Sequence, residues 1–194
     1  MKHSILIIDD ERIGAQNLQR FYNKKKSDIT CNIAYTEKDI LNSISNKFYD
    51  LAIVDIRMDD FDFDGFDLIK LITEVNPFAK IIIISAYTGE YQEDLNEILQ
   101  TGKISAILNK EKFDDFSKKI LNESNKVFLE KDSNTSFNQS VLTDLYSDVK
   151  NETNKQEKGL KFERFVGMLL GSIGFHEIKY RNIGKHSVIP VAWG

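Results

Sequence analysis

Polar side chains that could do chemistry recur at one kind of place in this chain, just after a short apolar run. Asp9 and Asp10 follow the run at 5–8, and Asp55 follows the run at 51–54. Two further runs, 81–84 and 104–108, lead into Ser85 and into Asn109 and Lys110. If the runs are strands of one parallel sheet, these groups share the edge at the strands' carboxyl ends, where open α/β sheets bind ligands. Three carboxylates gathered there repel one another unless a hard cation lies among them, and Mg²⁺ is the simplest such ion. A metal beside an ammonium group and a hydroxyl can hold the oxygens of a phosphoryl group. An aspartate next to that metal can act as the nucleophile and become an aspartyl-phosphate.

The elements that must position these groups are legible in the hydrophobic pattern. The four runs are continuous rather than alternating, as strands buried on both faces are. A weaker run spans 29–35. Helical spacing fills much of the rest: Ile13, Leu18, Phe21 and Tyr22 within 12–25; Phe66, Ile69, Leu71 and Ile72 within 66–75; Leu95, Ile98 and Leu99 within 91–100. A further helix is expected over 113–129, with Phe113, Phe116, Ile120, Leu121, Val127 and Phe128 as its apolar set. Five βα units in residues 1–125 predict an α/β domain, an open parallel sheet covered by helices on both faces.

Asp9-Asp10, Asp55, Ser85-Ala86 and Lys110, each at a strand end, together with Asp64-Gly65, resemble the receiver domain of two-component response regulators. The resemblance implies a flavodoxin-like, doubly wound, five-stranded parallel sheet. It implies that Asp55 accepts phosphate from a histidine kinase or phosphotransfer protein. Asp10, Asp55 and the backbone carbonyl of Arg57 would ligate Mg²⁺, with Asp9 supporting the metal through water. Lys110 would pair with the phosphate, and Ser85 would hydrogen-bond it. A homodimer through the receiver is compatible with the resemblance.

The acid-rich stretch DIRMDDFDFDGF, residues 55–66, also matches the first half of a calcium-binding EF-hand loop from Asp60 through Asp62 and Asp64 to Gly65. That match fails downstream, because the twelfth position is Leu71 where a bidentate Glu is needed. Asp59, Asp60, Asp62 and Asp64 are therefore read as a solvated loop, with Asp64 or Gly65 opening the next helix. Three positions depart from the resemblance. The loop after Asp55 is about two residues longer than usual, with no proline after Met58. Glu111 replaces a proline normally preceded by a cis bond, so a trans peptide is expected. Ile107 stands where a switch aromatic is usual, which predicts weak coupling from Ser85 unless Tyr87 takes part.

Beyond residue 125 the chain changes character. Residues 126–157 read as a linker with a helix, polar and Ser/Asn-rich at 130–138, with helical spacing at 141–149. Residues 158–194 carry K-G-L-K-F-E at 158–163, an apolar helix, and Gly174-Phe175 before a strand. This order resembles the start of an Mrr-like restriction-endonuclease-fold domain, in which Glu163 would be an accessory acid. The Asp and E-x-K that nucleolysis needs do not follow, so an incomplete segment without cleavage is expected. DNA binding through it is compatible with the resemblance, and a signal-controlled nuclease is the alternative reading.

Charge and cysteine use narrow the classes. Residues 1–121 carry 16 basic and 21 acidic side chains, which argues against a nucleic-acid surface on the first part. No run approaches the roughly 18 apolar residues of a membrane span, and no signal-peptide pattern opens the chain. A single cysteine, Cys31, fits a reducing cytoplasm and reads as a buried core thiol. His3, His176 and His186 form no metal-ligand cluster with it.

Overall fold

Every apolar run becomes a strand. The computed structural model describes residues 3–193 except 27, 60, 87–94, 96–97, 134, 174, 176 and 183–187. It divides into two units, Met1–Ser45 with Tyr49–Lys131, and Asn46–Phe48 with Asp132–Gly194. The first holds β1 (His3–Ile8), β2 (Ile29–Ala34), β3 (Leu51–Asp55), β4 (Lys80–Ser85) and β5 (Ile104–Asn109). All neighbours pair in parallel, in the order β2-β1-β3-β4-β5. This is the flavodoxin-like doubly wound sheet expected from the sequence, and its order reverses direction between β1 and β3, where such sheets bind ligands.

The continuous runs are explained by two cores. Leu6, Ile8, Ala52, Val54, Ile81 and Ile83 point into one, while Ile5, Ile7, Leu51, Ile53, Ile82 and Ile84 point into the other. A strand covered on both faces has no solvent side for polar residues to occupy. Helices α1 (Arg12–Lys25) and α4 (Phe113–Ser133) close the second core through Ala15, Leu18, Tyr22, Phe116, Ile120 and Phe128. Helices α2 (Glu37–Asn46) and α3 (Gly65–Val75) close the first through Ile40, Ile44, Phe66, Leu68, Ile69 and Ile72. Of the helix expected at 91–100, Leu95, Ile98 and Leu99 are helical and the others lie outside the described residues, apart from a turn at Gln100. Cys31 is buried as expected, and burial pushes its thiol up to about 12, so it is protonated and unreactive at neutral pH.

Helix α2 has no counterpart in the sequence reading, although its signal is present. Thr36 Oγ1 accepts from the Asp39 N–H at 3.2 Å and donates to the Asp39 carboxylate at 2.7 Å, a cap at the helix start. Its apolar stripe is only Ile40 and Ile44, too short to stand out by periodicity.

The second difference is the end of α4. Residues 130–133, read as part of a polar linker, continue the helix because tertiary contacts hold it. Lys131 pairs with Asp50, which also accepts from the Ser4 N–H at 2.8 Å and lies 3.7 Å from His3 Nδ1. The His3 ring stacks on Phe128 at 4.2 Å. One turn earlier, Ser124 Oγ donates to the Ile120 carbonyl at 2.8 Å, so the Tyr22 hydroxyl donates to Ser124 across 2.6 Å. Composition marks this stretch as polar, but its charges find partners at the amino ends of β1 and β3.

In the second unit, α5 (Thr135–Asn151) and α6 (Lys155–Ser172) are separated by three residues, fewer than the polar pause suggested. Asn154 ends that gap by accepting from the N–H groups of Gln156 and Glu157 at 2.9 and 3.3 Å. The Tyr146 and Phe165 rings meet at 5.7 Å between the two helices. Strands β6 (Glu177–Asn182) and β7 (Val188–Trp193) form an antiparallel pair. Among the described residues no helix is long and apolar enough to cross a membrane.

The buried Asp50 pair makes a stability prediction. Burial alone would raise the Asp50 carboxyl, but hydrogen bonding to His3 and the charge of Lys131 prevail and hold it well below the usual carboxylate range. A depressed acid contributes stability that is present above its unfolded value of 3.8 and is lost as the pH falls through the lower folded value. Lys131→Met should therefore destabilise the protein by about 2–3 kcal/mol at pH 7, somewhat less than a fully buried pair. Urea unfolding of both proteins should show that gap shrinking as the pH drops below 3.8.

Candidate functional site

The parallel register assembles the site. Ile8 pairs with Val54, so the next residues, Asp9 and Asp55, emerge side by side from β1 and β3. Lys110 follows β5, and its N–H donates to the Ser85 carbonyl at 2.8 Å, extending the β4–β5 ladder by one step. From there its ammonium group reaches Asp9 Oδ2 at 2.9 Å and Asp55 Oδ2 at 2.5 Å. Both carboxylates are buried. Their remaining oxygens accept main-chain N–H groups two residues ahead, Asp9 from Glu11 at 2.9 Å and Asp55 from Arg57 at 3.3 Å.

Electrostatics at this edge are a contest between burial and pairing. Burial pushes the Asp9 carboxyl up to about 6, against the pull of Lys110. Desolvation raises Asp55 as well, again opposed by Lys110. Burial disfavours the Lys110 cation, but the two carboxylates outweigh it and raise its pKa. One oxygen from each of Asp9, Asp10 and Asp55 lies within 4.8 Å of the others, the one such group of three among the described residues. An all-oxygen, anionic donor set of this kind fits a hard divalent cation. A cleft of about 290 Å³ opens beside it, lined by Asp10, Asp55, Arg57, Asp59, Ala86 and Lys110.

The family model described as "Response regulator receiver domain" matches residues 5–121. The chain belongs to the response regulator receiver family. Among curated proteins, the receiver is 28% identical over 113 residues to "Transcriptional regulatory protein ZraR" of Salmonella typhimurium, a match that covers 58% of this chain but 24% of that protein. Among solved structures, it resembles a CheY-like receiver domain protein from Methanospirillum hungatei JF-1, with 21% identity and a TM-score of 0.58 over 69% of this chain and 100% of that one. It also resembles the receiver domain of an HD domain-containing protein from Pseudomonas fluorescens Pf-5, with 18% identity and a TM-score of 0.58 over 69% of this chain and all of that one. These two likenesses concern the fold.

The receiver brings Asp9, Asp10, Asp55 and Lys110 together as the sequence led one to expect. Arg57 borders the same cleft, and its side chain pairs with Asp59 at 2.7 Å. Ser85 is fully buried at the end of β4, and Ala86 forms the cleft wall there. Ile107 pairs in register with Ile83 and packs half-buried against the first core. Tyr87 lies outside the described residues. Every peptide bond among the described residues is trans, that before Glu111 included. Glu111 itself pairs with Lys119 on α4 at 3.0 Å. Glu163 of the second unit belongs to no three-ligand group among the described residues.

The EF-hand-like stretch has a structural explanation. Asp64 Oδ1 accepts from the N–H groups of Phe66 and Asp67 at 2.9 and 3.1 Å, while the Asp67 carboxylate accepts from the Asp64 N–H at 3.3 Å. Asp64 is thus the cap of α3. Asp60 lies outside the described residues.

Gly65, the partner of Asp64 in the sequence motif, supports the strand that ends in Asp55. Its N–H donates to the Ile56 carbonyl at 2.9 Å, and a Cβ built there would lie 2.2 Å from the Asp55 carbonyl oxygen and 2.6 Å from Ile56 Cα. Only glycine lets α3 approach the end of β3 this closely. Gly65→Ala must displace main chain rather than a side chain, so it should cost at least the upper part of the roughly 1–3 kcal/mol of an overpacked core. Chemical denaturation checks this, and unchanged stability would contradict the close approach.

Proposed function

We propose that this chain is a cytoplasmic two-component response regulator whose Asp55 accepts a phosphoryl group from a histidine kinase or phosphotransfer protein. The observation that carries the reading is the Lys110 ammonium group, 2.5 Å from Asp55 and 2.9 Å from Asp9, at the edge where Asp10 completes the acid group. In the transfer, an Asp55 carboxylate oxygen forms the new O–P bond while the bond from phosphorus to the donor breaks and the leaving group departs. Lys110 then faces the phosphoryl oxygens, and the buried Ser85 hydroxyl hydrogen-bonds one of them. Asp9, Asp10, Asp55 and the Arg57 carbonyl would hold Mg²⁺, which supplies positive charge against those oxygens when bound.

Output is proposed to pass to the second unit, with DNA as a target in line with the name of the Salmonella relative, and a receiver homodimer as one route to it. The alternative reading, a signal-controlled nuclease, is not supported by the comparisons, and the Mrr-like resemblance of residues 155–194 rests on the sequence order alone. With isoleucine at 107, whose χ1 is stiff and whose ring-free side chain changes little area between rotamers, coupling to the β4–β5 face is expected to be weak.

Incubated with Mg²⁺ and acetyl phosphate, the protein should gain one hydrolytically labile phosphoryl group by intact mass, and Asp55→Asn should gain none. Equal labelling of the two proteins would refute the assignment. Protons compete with the cation for Asp9, whose carboxyl sits near 6 in the metal-free site. Mg²⁺ affinity by calorimetry should accordingly hold above about pH 6 and weaken as the pH falls through it.

A further inference from the structure

The three clustered acids share their donors unequally. Asp9 and Asp55 each take a hydrogen bond from Lys110 and another from a main-chain N–H two residues ahead. Asp10 takes neither kind. Among the described residues its carboxylate has one donor, the main-chain N–H of Asp59, which reaches Oδ2 at 3.1 Å across 49 residues of sequence. This bond ties the loop after β1 to the loop after β3.

Asp59 is the residue after Met58, where the resemblance to receivers leads one to expect proline. Proline has no N–H and could not make this bond. The Asp59 side chain is turned to a different task, the pair with Arg57 at 2.7 Å, in which the two side chains are 62% and 50% exposed. An ion pair that exposed contributes little. The N–H bond is of another kind: it is charge-assisted, and it offsets repulsion of the Asp10 carboxylate by Asp9 and Asp55.

We propose that the main-chain N–H of Asp59 is the positioning group for Asp10, presetting the cation site with a bond that a proline at this place cannot make. The proposal rests on the reading that these acids bind Mg²⁺. Hydrogen-bonding partners behind metal ligands are typically worth 10–100-fold in metal affinity. The Asp59 bond lies at the surface, so the lower end of that range, about tenfold, is expected.

The test titrates MgCl₂ into the full chain by calorimetry, for wild type, Asp10→Asn, Asp59→Pro and Asp59→Ala. Asp59→Pro should bind about tenfold more weakly, and Asp59→Ala, which keeps the N–H and loses the carboxylate, should bind within about twofold of wild type. Phosphorylation of Asp59→Pro by acetyl phosphate should recover at saturating Mg²⁺, because position rather than chemistry is affected. In wild type, amide exchange at Asp59 should be slowed, and Asp10→Ala should release it. That last measurement needs no proline variant to fold. Absence of Mg²⁺ binding by wild type, or equal binding by Asp10→Asn, would overturn the acid-site reading itself. Wild-type affinity in Asp59→Pro, equal loss in Asp59→Ala and Asp59→Pro, or Asp59 exchange indifferent to Asp10→Ala would each overturn the positioning role while leaving that reading in place.

Discussion

Everything at the carboxyl edge of the sheet depends on one ammonium group held between two buried carboxylates. Lys110 bridges Asp9 and Asp55, which belong to adjacent strands, from the end of a third. Without that cation, two desolvated negative charges would face each other with a third, Asp10, within 4.8 Å. The parallel register makes the bridge geometrically cheap. It aligns β1 with β3 so that both acids emerge together, and the one-step extension of the β4–β5 ladder delivers Lys110 at the right height.

The bridge also constrains the surrounding backbone. Asp9 and Asp55 are each anchored a second time by a main-chain N–H, from Glu11 and Arg57, and Asp10 is held by that of Asp59, so the loops after β1 and β3 are shaped around carboxylate oxygens. Gly65 lets α3 start directly against the end of β3, and Asp64 caps that start. The opposite edge is fastened by its own buried acid, Asp50, which holds the far end of α4 through Lys131. The receiver is therefore pinned at both edges by carboxylate–ammonium contacts.

The strands and the group of strand-end side chains were legible in the sequence because both-face burial writes itself as unbroken apolar runs, and strand-end acids stand out against them, whereas the order of the strands came only with the resemblance to receivers. The α2 helix was not, since a two-residue stripe gives periodicity little to detect, and the Thr36–Asp39 cap is a weak signal alone. The continuation of α4 through Lys131 was read as polar linker because its partners, His3 and Asp50, lie far away in sequence. Asp59's part was hidden for a different reason. It acts through its N–H, which every residue but proline carries, so only the missing proline pointed to it.

Lys110 holds the acids of this edge together. Carbon-13 NMR titration of the Asp9 and Asp55 carboxyl groups, in metal-free wild type and in Lys110→Met, tests this directly. Asp9 should titrate near 6 in wild type, and both carboxyl groups should move upward in the variant as the opposing cation is removed. Carboxyl groups that titrate identically in the two proteins would contradict the account.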